Sequence, residues 1–244
     1  MHKIGPYDLG KVHLGDCVSM LRDIPSGSIH TIISDPPFGN GQTHVRRGNL
    51  TARGKVENDE EDLFRALMPK FLVEAARVLD ADSSALLLFS EGGGPLLMSN
   101  RLSDWIDSYL EFVTTLIWDK GIPGMGHYYR RSHEFIFVGR KRGSKLRWFD
   151  ESCAAKTVIH VTRIVNPPEG SHPTPKPVSL MEYLIRNHTK KGDVVCDPFS
   201  GGGSTGVAAK RLGRKFVGFE IDPHWAEYSN RRIALEGEQG ELFA

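Results

Sequence analysis

Residues 194–222 read VVCDPFSGGGSTGVAAKRLGRKFVGFEID. An apolar run (193–197) stops at Asp197-Pro198, and a glycine-rich turn follows. A stretch with helical spacing (204–212) then leads into a second apolar run, 215–221, with Glu220 near its end. Strand, tight turn, helix and strand in that order form the repeating unit of an α/β fold with a largely parallel sheet. Gly201, Gly203 and Gly206 satisfy G-x-G-x-x-G, and Glu220 follows Gly201 by 19 residues. That spacing matches a dinucleotide-binding turn, although plain strand-to-helix packing also uses such glycines.

The same alternation extends upstream. Short apolar runs predict strands over 11–15, 29–34, 84–90, 112–119 and 134–139, which with 193–197 and 215–221 make seven. Helical spacing covers 61–79, 96–110, 177–189, 204–212 and 223–236. The length, 244 residues with 39% hydrophobic and 25% charged, fits one sizeable domain over 1–244. Two segments stand apart. Residues 39–60 are polar and basic, longer than an ordinary connection. Residues 141–170 show little apolar periodicity and read as a small insertion.

No apolar stretch approaches the roughly 20 residues that span a bilayer, and residues 1–16 lack a signal-peptide core. Cys17, Cys153 and Cys196 are too scattered for a disulfide framework, and none lies in a CxxC pair. A soluble protein of a reducing cytoplasm, without a metal centre, is the expectation. His127 and His133 stand six apart, but without further partners they do not make a metal site.

Net charge is only +1, yet unevenly spread. Arg46, Arg47, Arg53 and Lys55 lie in a stretch with no acid. Between 130 and 147 seven Arg or Lys, among them Arg140, Lys141, Arg142 and Arg147, face one acid, Glu134. Charge runs are usually solvated faces, but two acid-poor basic stretches point toward a polyanionic partner.

Three cofactor classes can be weighed against the 194–222 segment. A pyrophosphate at the helix start would lie near the like-charged Asp197. Only about 40 residues follow the turn, too few for the rest of a dinucleotide-binding sheet. A P-loop needs a lysine directly after Gly206, where Val207 stands. An adenosine-bearing cation without phosphate fits better. Asp197 suits a sulfonium or an amino group, and Glu220 suits the paired hydroxyls of a ribose. Asp16, at the end of the first strand, suits an adenine amine or, equally, a turn cap.

The other segment that needs explaining is Ser-Asp-Pro-Pro-Phe-Gly, residues 34–39, at the end of the 29–34 run. A turn accounts for the prolines and the glycine but leaves Asp35 and Phe38 idle. With Ser-His-Pro-Thr-Pro-Lys-Pro (171–177), Asp-Pro-Phe-Ser-Gly-Gly-Gly-Ser-Thr (197–205) and Gly-Phe-Glu-Ile-Asp (218–222) in that order, the chain resembles the DNA amino-methyltransferases of the permuted beta order. The likeness covers residues 11–38, 61–140 and 171–236.

This resemblance implies a Rossmann-like S-adenosylmethionine-dependent methyltransferase fold, with a circularly permuted motif order. Its sheet is mixed and seven-stranded, with one antiparallel edge strand. It implies that Asp35, Pro36, Pro37 and Phe38 are the catalytic motif. Asp197, Phe199, Gly201 and Gly203 resemble the cofactor loop, Glu220 the ribose-binding acid and Asp16 the acid facing the cofactor adenine. His172, Thr174 and Lys176 are similar to the segment beside the methionine moiety. Pro175 stands where that family usually carries Gln or Glu, and Phe38 where Tyr is common.

Chemistry gives the Asp-Pro-Pro-Phe order a purpose. The lone pair of an exocyclic base amine is delocalised into the ring. Two acceptors, the Asp35 carboxylate and the Pro36 carbonyl, can each take one N–H and release that lone pair toward a methyl group. Pro36 and Pro37 hold the acceptors rigid, and Phe38 stacks on the extruded base. With Asp rather than Ser at the head of the motif, the resemblance implies N6-adenine methylation of double-stranded DNA with base flipping. Cytosine-N4 methylation is the neighbouring alternative, and a non-catalytic S-adenosylmethionine- or NAD-binding module lies further off. Residues 39–60 are expected to contact DNA directly, and 141–170, with Arg140, Lys141, Arg142 and Arg147, to form a target-recognition surface. A restriction partner and a homodimer, common in the resembled group, are not legible in the residues.

Overall fold

A computed structural model of the chain describes residues 2–37, 61–91, 98–124, 129–152, 154–165, 167 and 170–236. In chain order the elements open with β1 (Lys3–Ile4), β2 (Tyr7–Asp8), β3 (Lys11–Leu14), α1 (Cys17–Arg22) and β4 (Thr31–Ser34). There follow α2 (Glu61–Val78), β5 (Ser83–Glu91), α3 (Met98–Tyr109), β6 (Glu111–Asp119), β7 (His133–Arg140), β8 (Lys145–Leu146) and β9 (Val158–His160). The last are α4 (Val178–His188), β10 (Val194–Asp197), α5 (Ser204–Arg211), β11 (Lys215–Glu220) and α6 (Pro223–Leu235).

The two C-terminal strands insert between the two N-terminal ones, so the main sheet runs β3-β11-β10-β4-β5-β7-β6-β9. The pairing of β10 with β4 is parallel, with Val195 opposite Thr31 and Cys196 opposite Ile32. Parallel strands need both faces covered, and β4 and β10 are buried at every residue. Alternation sends Ile32, Leu86, Leu88, Cys196 and Phe219 to a core shared with α1, α2 and α3. Their neighbours Ile33, Leu87, Phe89, Val195 and Phe216 go to a second core shared with α4, α5 and α6. Each such side chain, fully removed from water, stabilises the sandwich by about 1.5–3 kcal/mol.

All seven expected strands are present, and the mixed sheet is larger than the seven-stranded one expected. Short β9 pairs parallel to β6, and β8 runs beside the start of β5, giving nine among the described residues. The antiparallel strand is β7, and it lies between β5 and β6 rather than at the edge. Segment 141–170 is thus a connection that contributes two strands to the sheet. The outer edge of β3 carries one further contact. The Asn230 side chain on α6 accepts from Val12 N at 2.8 Å and donates to Val12 O at 2.7 Å. Among the described residues no helix is long and apolar enough to cross a membrane.

Candidate active site

Parallel pairing of β4 and β10 brings their carboxyl ends side by side, and with them Asp35 and Asp197. The Ser34 side chain joins the two motifs. Ser34 Oγ donates to Asp197 Oδ1 at 2.5 Å. The same hydroxyl accepts from Phe199 N at 3.1 Å, so the start of the glycine loop is pinned to the end of β4. A cavity of about 600 Å³ opens there, lined by Asp35, Pro36 and Pro37 from one motif and by Asp197, Phe199 and Gly201 from the other.

Asp197 is almost wholly buried, yet its hydrogen bonds come from neutral donors: Ser34, Thr205 and the Phe199 amide. Burial therefore dominates, and its carboxyl is pushed up to about 6, with the nearby Asp35 charge adding to the rise. A cation entering the cavity would relieve this desolvated charge. Glu220, at the end of β11, is also raised by burial. Its two oxygens accept from Gly201 N at 2.7 Å and Asp222 N at 3.0 Å, which ties the glycine loop to the tip of the next strand.

The glycines of the loop serve separate ends. Gly203 occupies the N-cap of α5 at φ 75°, a left-handed conformation that suits glycine. Gly206 lets α5 approach its neighbours, because a Cβ there would stand 2.4 Å from Ile233 Cδ1. The His172 ring lies over Gly201 and Gly202 and packs edge-on against Trp225, with centroids 4.8 Å apart. His172, Thr174 and Trp225 all line the cavity. Asp16 lines it too and caps α1, accepting from Ser19 N at 2.9 Å, so the turn-cap reading of this residue is realised in the fold.

Lys176 faces the Asp35 carboxylate. Its ammonium forms an ion pair with Asp35 and a second one with Glu134 at 3.5 Å. These two carboxylates hold the lysine charged despite its burial, keeping its pKa above the ordinary range. Burial pushes the thiols of Cys17 and Cys196 upward, which leaves both poor nucleophiles. Cys153 lies outside the described residues.

The DNA methylase family model matches residues 29–231, spanning every element named in this site except β3, Asp16 and α1. The chain belongs to the DNA methylase family. Among its relatives, the type II methyltransferase M2.DpnII of Streptococcus pneumoniae is 32% identical, over 95% of this chain and 93% of its own length. The type II methyltransferase M2.MboI of Moraxella bovis is 25% identical, over 91% and 86%. Among solved structures, the M1.HpyAVI–SAM complex superposes with a TM-score of 0.70 at 20% identity, covering 91% of this chain and 98% of that one. The cytosine-N4-specific PvuII DNA methyltransferase also reaches 0.70, at 17% identity and 93% and 91% coverage. At these identities the two structures establish the fold of the methylase.

The basic residues divide. Phe38, Arg46, Arg47, Arg53 and Lys55 lie outside the described residues. Arg140, Lys141, Arg142 and Arg147, expected to form a DNA surface, lie away from the cavity. Because β7 runs antiparallel, its end at Arg140 falls on the amino edge of the sheet, opposite the cavity. Each of the four also has a partner within the chain. Arg140 pairs with Glu111, and Lys141 donates to Leu79 O at 2.9 Å. Arg142 donates to Asp107 O and Leu110 O, each at 2.5 Å, and buried Arg147 binds Asp193 at 2.7 Å. Ser34, Glu134 and Trp225 were not singled out from sequence. Adjacency to Asp35 marks Ser34, whereas Glu134 and Trp225 carry no local signal.

Proposed function

We propose that the methylase transfers a methyl group from S-adenosylmethionine to the exocyclic N6 amine of an adenine extruded from duplex DNA. The shared cavity carries this reading: the Asp-Pro-Pro segment and Asp197 line one space, and Ser34 bonds across between them. S-adenosylmethionine, when bound, supplies a methyl group already activated on a sulfonium. The residues present suit it. Asp197 offers a buried carboxylate to a cation, Glu220 offers acceptors to ribose hydroxyls, and the volume is in the range of ordinary ligand sites.

The remaining work falls to the chain itself. Asp35 and the Pro36 carbonyl accept the two amine N–H bonds and turn the nitrogen lone pair toward the cofactor side of the cavity. Pro36 and Pro37 fix the backbone on which these acceptors sit, directly after a strand buried at every residue. Phe38 stacks on the base, which offsets part of the few kcal/mol lost on extrusion. Arg46, Arg47, Arg53 and Lys55 contact the DNA backbone or base edges. The buried thiols favour direct transfer to nitrogen over a covalent route at ring carbon.

Asp35 at the head of the motif favours adenine, since cytosine-amine relatives more often carry Ser there. The fold shared with a cytosine-N4-specific enzyme makes N4 transfer the second reading. Labelled methyl transfer to duplex and single-stranded DNA, followed by nucleoside mass spectrometry, separates the two. N6-methyladenine is expected, and N4-methylcytosine would overturn the base assignment. Transfer confined to single strands would remove base extrusion from the proposal. Asp35→Ala should lower the rate by about 10²–10³-fold while cofactor binding persists.

A further inference from the structure

Four charges of alternating sign lead away from the cavity: Asp35 after β4, Lys176 before α4, Glu134 on β7 and Lys120 after β6. Lys176 touches both acids, and Lys120 Nζ donates to Glu134 Oε1 at 3.2 Å. The side chains of Lys176, Glu134 and Lys120 are only 10%, 14% and 15% exposed. Lys176 also lies 5.3 Å from the centroid of the Phe89 ring, a further restraint on its ammonium. Glu134 arrives here because β7 runs backward. Its first residues fall at the carboxyl edge, with Glu134 in register with Trp118 and His133 with Asp119.

We propose that Glu134 is a positioning residue for methyl transfer, acting through Lys176 to fix how the Asp35 carboxylate faces the cavity. The inference rests on the N-methyltransferase reading above. Lys176 stands between two carboxylates, and the pull of Glu134 decides how far its ammonium leans on Asp35. A carboxylate engaged by an unopposed lysine is a weaker acceptor for the incoming amine and is turned toward that lysine. With Lys120 anchoring Glu134 from the far side, the chain of contacts reaches from β6 to the reacting edge. Near-attack geometry is sensitive to such displacements. Other charged groups surround this line. Asp197 faces Asp35, and Lys70 of α2 lines the same cavity. At the end of β6 stand Asp119, His133 and His160, the last bound to Asp119 at 2.9 Å.

The test compares kcat and the KM for S-adenosylmethionine among the parent, Glu134→Ala, Glu134→Gln and Glu134→Asp. The expected result is a 10- to 100-fold lower kcat in the Ala variant, with KM for the cofactor within about twofold. Glu134→Asp should recover part of the loss. Folding is followed by circular dichroism, and if the Ala variant fails to fold, the isosteric Gln variant decides the outcome. A folded variant with parental kcat, or a Glu134→Asp variant as slow as the Ala variant, would overturn the positioning role. In that event an active parent and inactive Asp35→Ala would leave the methyltransferase reading standing, whereas an inactive parent would remove the reading itself.

Discussion

Strand β10 has an aspartate at each end, one just before it and one closing it, and the two are held in opposite ways. Asp193 and Asp197 are 3% and 4% exposed, so both carboxylates lie almost out of water. At the amino end, Asp193 is gripped by two nitrogens of Arg147, at 2.7 and 3.1 Å, and by Lys190 N at 2.8 Å. The carbonyl of Arg147 in turn contacts the His188 ring at 2.7 Å, and burial pushes that imidazole down to about 4, so it is neutral. At the carboxyl end, Asp197 meets neutral donors, and its proton affinity rises to about 6. Depth is the same at both ends; the sign of the neighbours differs. One aspartate binds the fold together, and the other, on the proposed reading, is the group that receives the cofactor's cation.

This contrast can be broken at either end. The largest stability effect is expected from Arg147→Met, which leaves Asp193 buried without its cation. Loss of about 3–5 kcal/mol should appear in urea unfolding, since removing one member of a buried pair strands the other. The folded fraction should still bind S-adenosylmethionine within about twofold of the parent.

Asp197→Asn should do the reverse, leaving ligand-free stability near or above the parental value while weakening S-adenosylmethionine binding. A pH series sharpens this. The folded chain protonates Asp197 near pH 6, and the unfolded chain near pH 4. The folded state thus holds the extra proton between these limits. Ligand-free stability contributed by this group falls as pH rises through that window, by about 3 kcal/mol in total. Cofactor affinity runs the other way, about tenfold weaker at pH 5 than at pH 7.5 by calorimetry, because the cation selects the ionised carboxylate. Asp197→Asn should flatten both trends, and an unchanged pH dependence would contradict the role given to this group.

Ser34→Ala is the mildest change. It removes one donor that favours the ionised Asp197, so the affinity midpoint should move up by less than about one pH unit. A downward shift would mean that Ser34 is not stabilising the charge.

The sheet was legible because its strands are short apolar runs with turn residues at their ends. The permuted order then foretold that β10 and β11 would pair beside β3 and β4. The position of β7 was not legible, because an antiparallel strand inside a sheet and one at its edge have the same residue pattern. Nor does local sequence show that β9 lies outside β6, since three residues carry little periodicity. The intramolecular partners of the 140–147 stretch were hidden for a related reason. Its partners Glu111 and Asp193 come from other elements, and a basic run looks solvated until those partners are placed. Lys176 shows the same limit, since the carboxylate it contacts lies 141 residues earlier. Spacing can nominate a residue for a site without saying which side of the site it will face.

The amide of Asn230 against Val12 has its own consequence. An outermost strand offers unpaired backbone groups as a template for another chain. Here α6 supplies donor and acceptor from one side chain, imitating one rung of a neighbouring ladder. Two copies that tried to zip along β3 would first have to pull this amide away, so the clasp protects the sheet from growing at that seam.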